Sequence, residues 1–247
     1  MIDHVTLRVS DFAASRDFYS AVLAPLGHEL GWQDEEKRLA EWGDFSIAQD
    51  GQPLSENVHV AFAAKSRDEV DAFHRAAIEA GYRDNGPPGE RPEYHALYYG
   101  AFALDPDGHN VEAVTHGIDN AGRIDHVFLR VGDLGASRAF YETVLAPLGH
   151  RHWASGDQPD GEEWVALGER GGSIWLVHGE PLSSHAHVAF AAKSRDEVDA
   201  FHRAAIEAGY RDNGPPGERP IYHEGYYGAF VLDPDGNNVE AVFHDRP

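Results

Sequence analysis

The 247-residue chain contains no cysteine, which excludes disulfide bonds and thiolate nucleophiles. Any metal would therefore be held by imidazole, carboxylate or other oxygen ligands. Basic residues are scarce as well, since 20 Lys and Arg stand against 42 Asp and Glu, giving a net charge of −22. Such an acidic surface repels phosphate backbones and anionic lipids, so we expect neither nucleic acid nor a membrane as a partner.

Long apolar runs are also absent, because no run reaches the ~18–20 residues that span a membrane. The first residues, MIDHVTLRV, enter an alternating strand pattern without a charged leader or an apolar signal core. We therefore expect a cytoplasmic protein. Histidine, by contrast, is abundant at 16 residues, which is the first indication of metal chemistry.

The chain is a tandem duplication. Residues 59–92 recur letter for letter at 187–220, and IDHVTLRV (2–9) corresponds to IDHVFLRV (124–131). A fixed internal repeat of this length indicates one domain type used twice. We predict a first domain over residues 1–117, a linker over 118–123 and a second domain over 124–247, with the two repeats packed as an internal pseudo-dimer.

Each repeat contains the pattern of a strand, a helix and further strands twice. Residues 2–9 and 58–64 alternate between apolar and polar, and helix N-caps follow at Ser10-Asp11 and at the capping box Ser66–Glu69. The stretch NGPPGERP (85–92) is predicted to be a loop because its prolines lack donors. We therefore predict an α+β fold of four βαβββ modules, at about 1–54, 55–117, 124–182 and 183–247.

Polar residues stand out on the strands. His4 lies on the face opposite Val5 and Leu7, His59 alternates in the same way, and Glu112 is in the middle of the last strand of its repeat. Two imidazoles and one carboxylate on one sheet face form a 2-His-1-carboxylate set that leaves open positions on a metal. The counterparts in the second repeat are His126, His187 and Glu240.

Two arginines accompany the first-strand histidines. Arg8 and Arg130 follow His4 and His126 by four residues, on the same face of their strands. They are candidates for binding an anionic group of a substrate, or for pairing with an internal acid, which is the commoner role.

The segments IDHVTLRVSDFAASRDFY, VHVAFAA and YYGAFALDPDGHNVEAV, which recur in order in the second half, resemble the vicinal oxygen chelate superfamily. That superfamily includes glyoxalase I, bleomycin-resistance proteins and extradiol dioxygenases. The resemblance implies that paired βαβββ modules form two cup-shaped domains. It also implies one divalent metal in each, held by residues of the first, fifth and eighth strands. It leaves open whether His4 joins His59 and Glu112 or joins His187 and Glu240.

The sequence departs from two patterns of the superfamily. No carboxylate occupies the fourth strand (FSIAQ at 45–49, SIWLV at 173–177), which puts the two-Glu arrangement of glyoxalase I in doubt. The tyrosine of the extradiol dioxygenase pattern is replaced by Phe102 and Phe230. The nearby tyrosines could substitute for it, and His95 and His223 are candidates for general acid–base residues. These tyrosines are Tyr98, Tyr99, Tyr226 and Tyr227, of which Tyr99 and Tyr227 are our catalytic candidates.

Two functions are compatible with these residues. The first is a metal-dependent enzyme of dioxygenase or glyoxalase-like lyase or isomerase chemistry, which binds a small substrate through adjacent oxygens. It would use about two Fe, Mn, Zn or Ni ions per chain. The alternative is a metal-free drug-binding protein of the bleomycin-resistance type. Two complete His/His/Glu sets favour the enzyme.

Overall fold

The structure is a computed structural model that describes residues 1–117, 124–157, 161–168 and 172–245; the predicted linker 118–123 lies outside these ranges. The described residues form four α-helices and sixteen strands, which confirms the α+β class. The helices are α1 (Phe12–Leu23), α2 (Arg67–Glu79), α3 (Leu134–Leu145) and α4 (Arg195–Glu207). The strands of the first half are β1 (Ile2–Arg8), β2 (Trp32–Asp34), β3 (Leu39–Glu41), β4 (Phe45–Ala48), β5 (His59–Ala63), β6 (Arg83–Glu90), β7 (Tyr99–Leu104) and β8 (Asn110–Thr115). Those of the second half are β9 (Ile124–Val131), β10 (Arg151–Asp157), β11 (Glu163–Gly168), β12 (Ile174–His178), β13 (His187–Ala191), β14 (Arg211–Glu218), β15 (Tyr226–Leu232) and β16 (Asn238–His244).

The order along the chain is βαβββ four times, as the sequence predicts. The chain divides into two compact units. Unit I is Thr6–Val127, and unit II combines Met1–Val5 with Phe128–Pro247. The division passes through β1 and β9, so the first residues of β1 belong with the second half of the chain.

Each unit contains the same two arrangements of neighbouring strands. In unit I the orders are β9-β5-β8-β7-β6 and β1-β4-β3-β2. In unit II they are β1-β13-β16-β15-β14 and β9-β12-β11-β10. Strand β5 pairs with β8 in parallel, β13 pairs with β16 in the same way, and β8-β7-β6 and β16-β15-β14 are antiparallel.

The helices begin where their capping residues predict. The Asp11 side chain accepts a hydrogen bond from the backbone of Ala14, and Ser66 accepts one from Glu69. Glu69 in turn accepts from the backbone N–H of Lys65, so the reciprocal bond of the predicted capping box reaches the residue before the N-cap. The apolar faces of the helices are buried, and Phe18 and Phe73 are fully enclosed. None of the described helices is long and apolar enough to cross a membrane.

The loop prediction for residues 85–92 is wrong for most of that stretch, because Arg83–Glu90 forms strand β6. Among the described strands, β6 lies at the end of its order and pairs with β7 alone. Its register shifts at Asp84/Gly86 and again at Gly86/Gly89, where Gly86 has a φ of 152°. An edge position and bulges allow proline in a strand, since the missing N–H groups need no partner.

The turn before β8 is anchored by a buried tyrosine. Tyr19 of α1 donates a hydrogen bond to Asp105 Oδ2 at 2.9 Å, and Asp105 Oδ1 accepts from the backbone of Asp107 and His109. The same contact recurs between Tyr141 and Asp233 at 2.9 Å. These bonds hold the start of β8 and β16, the strands that carry the candidate carboxylates.

Candidate metal centres

The register of the strands brings the candidate residues of unit I to one sheet face. Glu112 of β8 lies opposite Ala61 of β5 on one side and opposite Phe102 of β7 on the other. Directly opposed residues point to the same face, and His59 lies two residues before Ala61 on that face. The neighbouring strand β9 supplies His126.

In unit I the resulting cluster is His59, Glu112 and His126. Glu112 Oε2 lies 3.0 Å from His59 Nε2 and 3.5 Å from His126 Nε2. The carboxylate is fully buried, whereas the side chain of His59 is 18% exposed. The cluster is thus enclosed on the carboxylate side and open to solvent at His59.

In unit II the cluster is His4, His187 and Glu240. Its three ligand atoms form a triangle, with His4 Nε2 3.1 Å from His187 Nε2, and Glu240 Oε2 3.1 Å from His187 Nε2 and 3.6 Å from His4 Nε2. Glu240 is 1% exposed and His4 is 24% exposed. The open side is again the imidazole side.

The structure shows which histidines lie together. His4 does not join His59 and Glu112 of its own repeat, which was one of the two groupings left open by the sequence. It joins His187 and Glu240, and His126 joins His59 and Glu112. The reason is strand order, since β1 lies next to β13 and β9 lies next to β5. Each cluster is built from both sequence repeats and lies within one compact unit.

The clusters fit a divalent metal. Ligands at about 2.0–2.2 Å from a cation are separated by roughly 3.0–3.5 Å in octahedral or tetrahedral geometry. The edges of 3.1, 3.1 and 3.6 Å in unit II match that spacing. Glu240 Oε2 is also buried and accepts no hydrogen bond from any residue in the described ranges. A buried carboxylate oxygen beside two imidazole nitrogens suits a cation.

A buried tyrosine holds each carboxylate. The Tyr98 hydroxyl donates to Glu112 Oε1 at 2.5 Å, and the Tyr226 hydroxyl donates to Glu240 Oε1 at 2.7 Å. Burial and the adjacent carboxylate raise the pKa of both tyrosines far above the usual range, so each remains a donor. One oxygen of each glutamate is therefore occupied, and Oε2 alone faces the imidazoles.

Each cluster also has an outer chain of hydrogen bonds. In unit I, His126 Nδ1 lies 2.7 Å from Asp125, whose carboxylate lies 3.1 Å from His116 Nε2; His116 Nδ1 lies 2.6 Å from His95 Nε2. An aspartate on Nδ1 fixes the ring and directs Nε2 toward the cluster.

Unit II repeats this chain through the corresponding residues. His4 Nδ1 lies 2.8 Å from Asp3, the carboxylate of Asp3 lies 3.1 Å from His244 Nε2, and His244 Nδ1 lies 2.9 Å from His223 Nε2. In both clusters, therefore, the same Asp–His–His chain orients the first-strand histidine.

The electrostatics of the unit I cluster are those of a buried charge network. Burial would lower the pKa of His126, but hydrogen bonds to Asp125 and Glu112 raise it to about 9. Burial lowers the pKa of His59. Burial would raise the pKa of Glu112, but the bonds from the two imidazoles lower it below its ordinary value. Without metal, a proton on His126 thus takes the place of a cation.

The remaining predicted site residues lie outside the clusters. The Arg8 side chain is paired with Asp50 at 3.1 Å, and Arg130 is paired with Glu162 at 2.7 Å, which is the internal pairing that was the commoner expectation.

The four predicted catalytic residues, Tyr99, Tyr227, His95 and His223, occupy two kinds of position. The Tyr99 hydroxyl donates to Asp71 of α2, and Tyr227 donates to Asp199 of α4, so both point at helices. His95 and His223 occupy the far ends of the two outer chains.

Three parts of the site were not predicted from the sequence. They are the tyrosine hydroxyl that binds each glutamate (Tyr98, Tyr226), the aspartate on Nδ1 of each first-strand histidine (Asp125, Asp3) and the histidine between that aspartate and the outermost one (His116, His244). The signals were present in both repeats. An aspartate precedes the first-strand histidine in each IDHV segment, and a histidine stands at the C-terminal end of the last strand in the second half (His244) or directly after it in the first (His116). Tyr98 and Tyr226 precede the chosen tyrosines by one residue, and the strand alternation places these neighbours on opposite faces.

Comparisons with known proteins agree with this architecture. An uncharacterized protein of Pseudomonas aeruginosa is 34% identical over 128 residues, covering 49% of this chain and 87% of that protein. The structure of glyoxalase I from Zea mays matches with a TM-score of 0.70 at 21% identity, covering 98% of this chain and 92% of the other. A Bacillus subtilis structure, provisionally described as a dioxygenase, matches with a TM-score of 0.66 at 13% identity, covering 99% and 85%.

At such identities the two solved structures show a common fold alone. The sequence model of the Glyoxalase/Bleomycin resistance protein/Dioxygenase superfamily, however, matches residues 1–113 and 123–241. These segments cover nearly the whole chain and correspond to its two repeats. The chain therefore belongs to the glyoxalase/bleomycin resistance protein/dioxygenase superfamily, in a tandem form.

Proposed function

We propose that this protein is a divalent-metal-dependent enzyme that binds a small substrate through two adjacent oxygens at each His/His/Glu cluster. The observation that carries the proposal is the triangle of ligand atoms formed by His4, His187 and Glu240. The same residue types form the cluster of unit I. Fe, Mn, Zn and Ni all suit imidazole and carboxylate ligands, and two ions per chain are expected.

A bound cation would polarise the substrate oxygens and stabilise the anion that develops during the reaction. The residues of this chain prepare that site. Tyr98 holds Glu112 Oε1, so that Oε2 alone is presented, and Asp125 orients His126 through Nδ1. Three protein ligands leave the remaining coordination positions for the substrate.

The space beside the cluster is set by small residues and one ring. Ala61 and Gly100 lie on the face of Glu112, and a Cβ at Gly100 would approach Glu112 Oε1 to 2.6 Å. The Phe102 ring lies 6.0 Å from the His59 ring, centroid to centroid, and so forms a wall of the site. Phe102 brings no hydroxyl, so any proton transfer must use another group.

The reaction belongs to one of two classes in this proposal: dioxygenase, or glyoxalase-like lyase or isomerase. No carboxylate of the fourth strands is available as a second acid–base group, which disfavours the two-glutamate glyoxalase I arrangement. Oxygen consumption with a panel of catechols, measured beside isomerisation of α-oxoaldehyde–thiol adducts, separates the two classes.

The test of the metal site precedes both assays. Protein purified anaerobically without chelator is titrated with Fe(II), Mn(II), Zn(II) and Ni(II), and uptake of two ions per chain is expected for at least one metal. Glu112→Gln with Glu240→Gln should abolish uptake while the fold is retained. A wild-type chain that takes up no metal, but binds cationic drugs, would instead be a sequestering protein and would refute the proposal.

A further inference from the structure

Two arginines that the sequence patterns did not single out lie on the same sheet faces as the metal clusters. Arg91 directly follows β6, and its guanidinium carbon lies 5.7 Å from the centroid of the Phe102 ring. Its counterpart in the second half is Arg219, whose guanidinium carbon lies 5.5 Å from the centroid of the Phe230 ring. Because Phe102 shares the face of Glu112, Arg91 stands at the rim of that cluster.

Two distances set an upper limit on the separation between the Arg91 guanidinium and the His59 ring. The Phe102 centroid is 6.0 Å from the His59 ring and 5.7 Å from the Arg91 guanidinium carbon, so the latter two are at most about 12 Å apart. In unit II the same ring contacts join His187, Phe230 and Arg219 at 6.2 and 5.5 Å. One small molecule can therefore reach from the metal ligands to the guanidinium.

The guanidinium is held in place by the backbone. Arg91 donates from Nη2 to the carbonyl of Pro87 at 2.9 Å and from Nη1 to the carbonyl of Glu90 at 3.3 Å. Gly89 makes room for it, since a Cβ there would lie 2.7 Å from Nη1. Arg219 repeats these bonds to Pro215 at 2.7 Å and Glu218 at 3.3 Å.

The bound guanidinium keeps donors to spare. An arginine has five N–H groups, and two carbonyl contacts leave three. Within the described part of the chain no carboxylate lies at ion-pair distance from Arg91 or Arg219, although the chain is strongly acidic. The neighbouring Glu90 is paired with Arg67 at 2.9 Å instead. In this respect Arg91 differs from Arg8, whose charge is matched by Asp50.

We propose that Arg91 and Arg219 bind an anionic group, a carboxylate in the first instance, on a substrate whose adjacent oxygens are chelated at the neighbouring His/His/Glu cluster. The inference rests on the proposed function and narrows its substrate class to small oxygen chelators with a further negative charge. The planar guanidinium fork matches a carboxylate through two parallel hydrogen bonds. The aromatic ring between arginine and histidine forms an apolar floor for the body of the molecule.

Isothermal titration of the Zn(II)-loaded protein with catechol and with 3,4-dihydroxybenzoate tests the inference. Both probes chelate through adjacent oxygens, and only the second carries a carboxylate. The wild type should bind 3,4-dihydroxybenzoate roughly 10- to 100-fold more tightly than catechol, the range expected for a charge-assisted bidentate contact. The general field of an acidic chain would act in the opposite direction.

Arg91→Met with Arg219→Met should reduce that preference to about onefold or less, with catechol affinity and zinc content unchanged. Arg75→Met with Arg203→Met removes the same charge from exposed helix positions and should keep the preference. Equal binding of the two probes by the wild type, or a preference that survives in the Arg91/Arg219 variant, overturns the inference alone. Failure to load zinc or any other divalent metal is visible in the preceding titration and overturns the proposed function together with it.

Discussion

Each cluster takes its first-strand histidine from the other sequence repeat, since His4 joins His187 and Glu240 while His126 joins His59 and Glu112. This grouping predicts how many metal ions each variant retains. Each single variant, His4→Ala, Glu112→Gln or Glu240→Gln, should lower uptake from two ions per chain to one. The informative variants are doubles. His4→Ala with Glu240→Gln removes two ligands of one cluster and should leave one ion, whereas His4→Ala with Glu112→Gln damages both clusters and should leave none.

The size of the effect follows from the ligand triangle. Removing His4 leaves only the His187–Glu240 edge of 3.1 Å, so a cation would keep two protein ligands of three. Loss of an outer-shell partner typically weakens metal binding 10- to 100-fold, and loss of a direct ligand should cost about 100-fold or more. A site that fills at micromolar metal would then be empty after gel filtration.

Elemental analysis of the gel-filtered protein measures this count, and circular dichroism with thermal denaturation shows that each variant is folded. His74→Ala removes an imidazole of α2 that is paired with Asp84 and belongs to neither cluster, and it serves as a control that should keep two ions. The reverse pattern, no ion in the His4/Glu240 variant and one in the His4/Glu112 variant, would show that each repeat forms its own cluster. It would refute the grouping that the structure shows.

Three further predictions concern the cluster of unit I. Because the pKa of His126 is raised to about 9, its metal-free ring is protonated at pH 7, and a cation must displace that proton. Apparent metal affinity there should rise about tenfold per pH unit up to pH 9, measured by calorimetry in buffers of different ionisation enthalpy. Asp125→Asn should weaken metal binding at this site 10- to 100-fold, measured by competition with a chromophoric chelator. Gly100→Ala should displace Glu112 and empty this site alone, while Gly31→Ala, whose Cβ would lie an ordinary 3.7 Å from the Glu41 carbonyl, should keep both ions.

Much of the fold was predictable because local signals and tertiary structure agree. The alternation in β1 and β5 and the caps at Asp11 and Ser66 appear in the structure as the sequence indicates. The failure at β6 has a physical cause. Proline and glycine are typical of loops, but an edge strand with bulges tolerates both, and only the position at the end of the strand order reveals that.

The candidate site was predictable residue by residue but not as a network. Alternation places His59 and Glu112 on a face, yet it gives no distances, so it reveals neither the Tyr98 hydroxyl on Glu112 nor the chain from Asp125 to His95. Those contacts join residues from different strands and loops. Side-chain reach across a sheet depends on strand order and register, which no local window of sequence contains.

The grouping of the ligands shows most clearly where sequence reasoning ends in a duplicated chain. The two IDHV segments are identical in their first four letters, and residues 59–92 are identical to residues 187–220. Any local preference that would direct His4 toward His187 would direct it equally toward His59. The order of neighbouring strands determines the grouping instead, because β1 lies beside β13 and β9 lies beside β5. A duplication therefore keeps the same residue types in both clusters without specifying their partners, and a substitution in one repeat alters the candidate metal site that the other repeat completes.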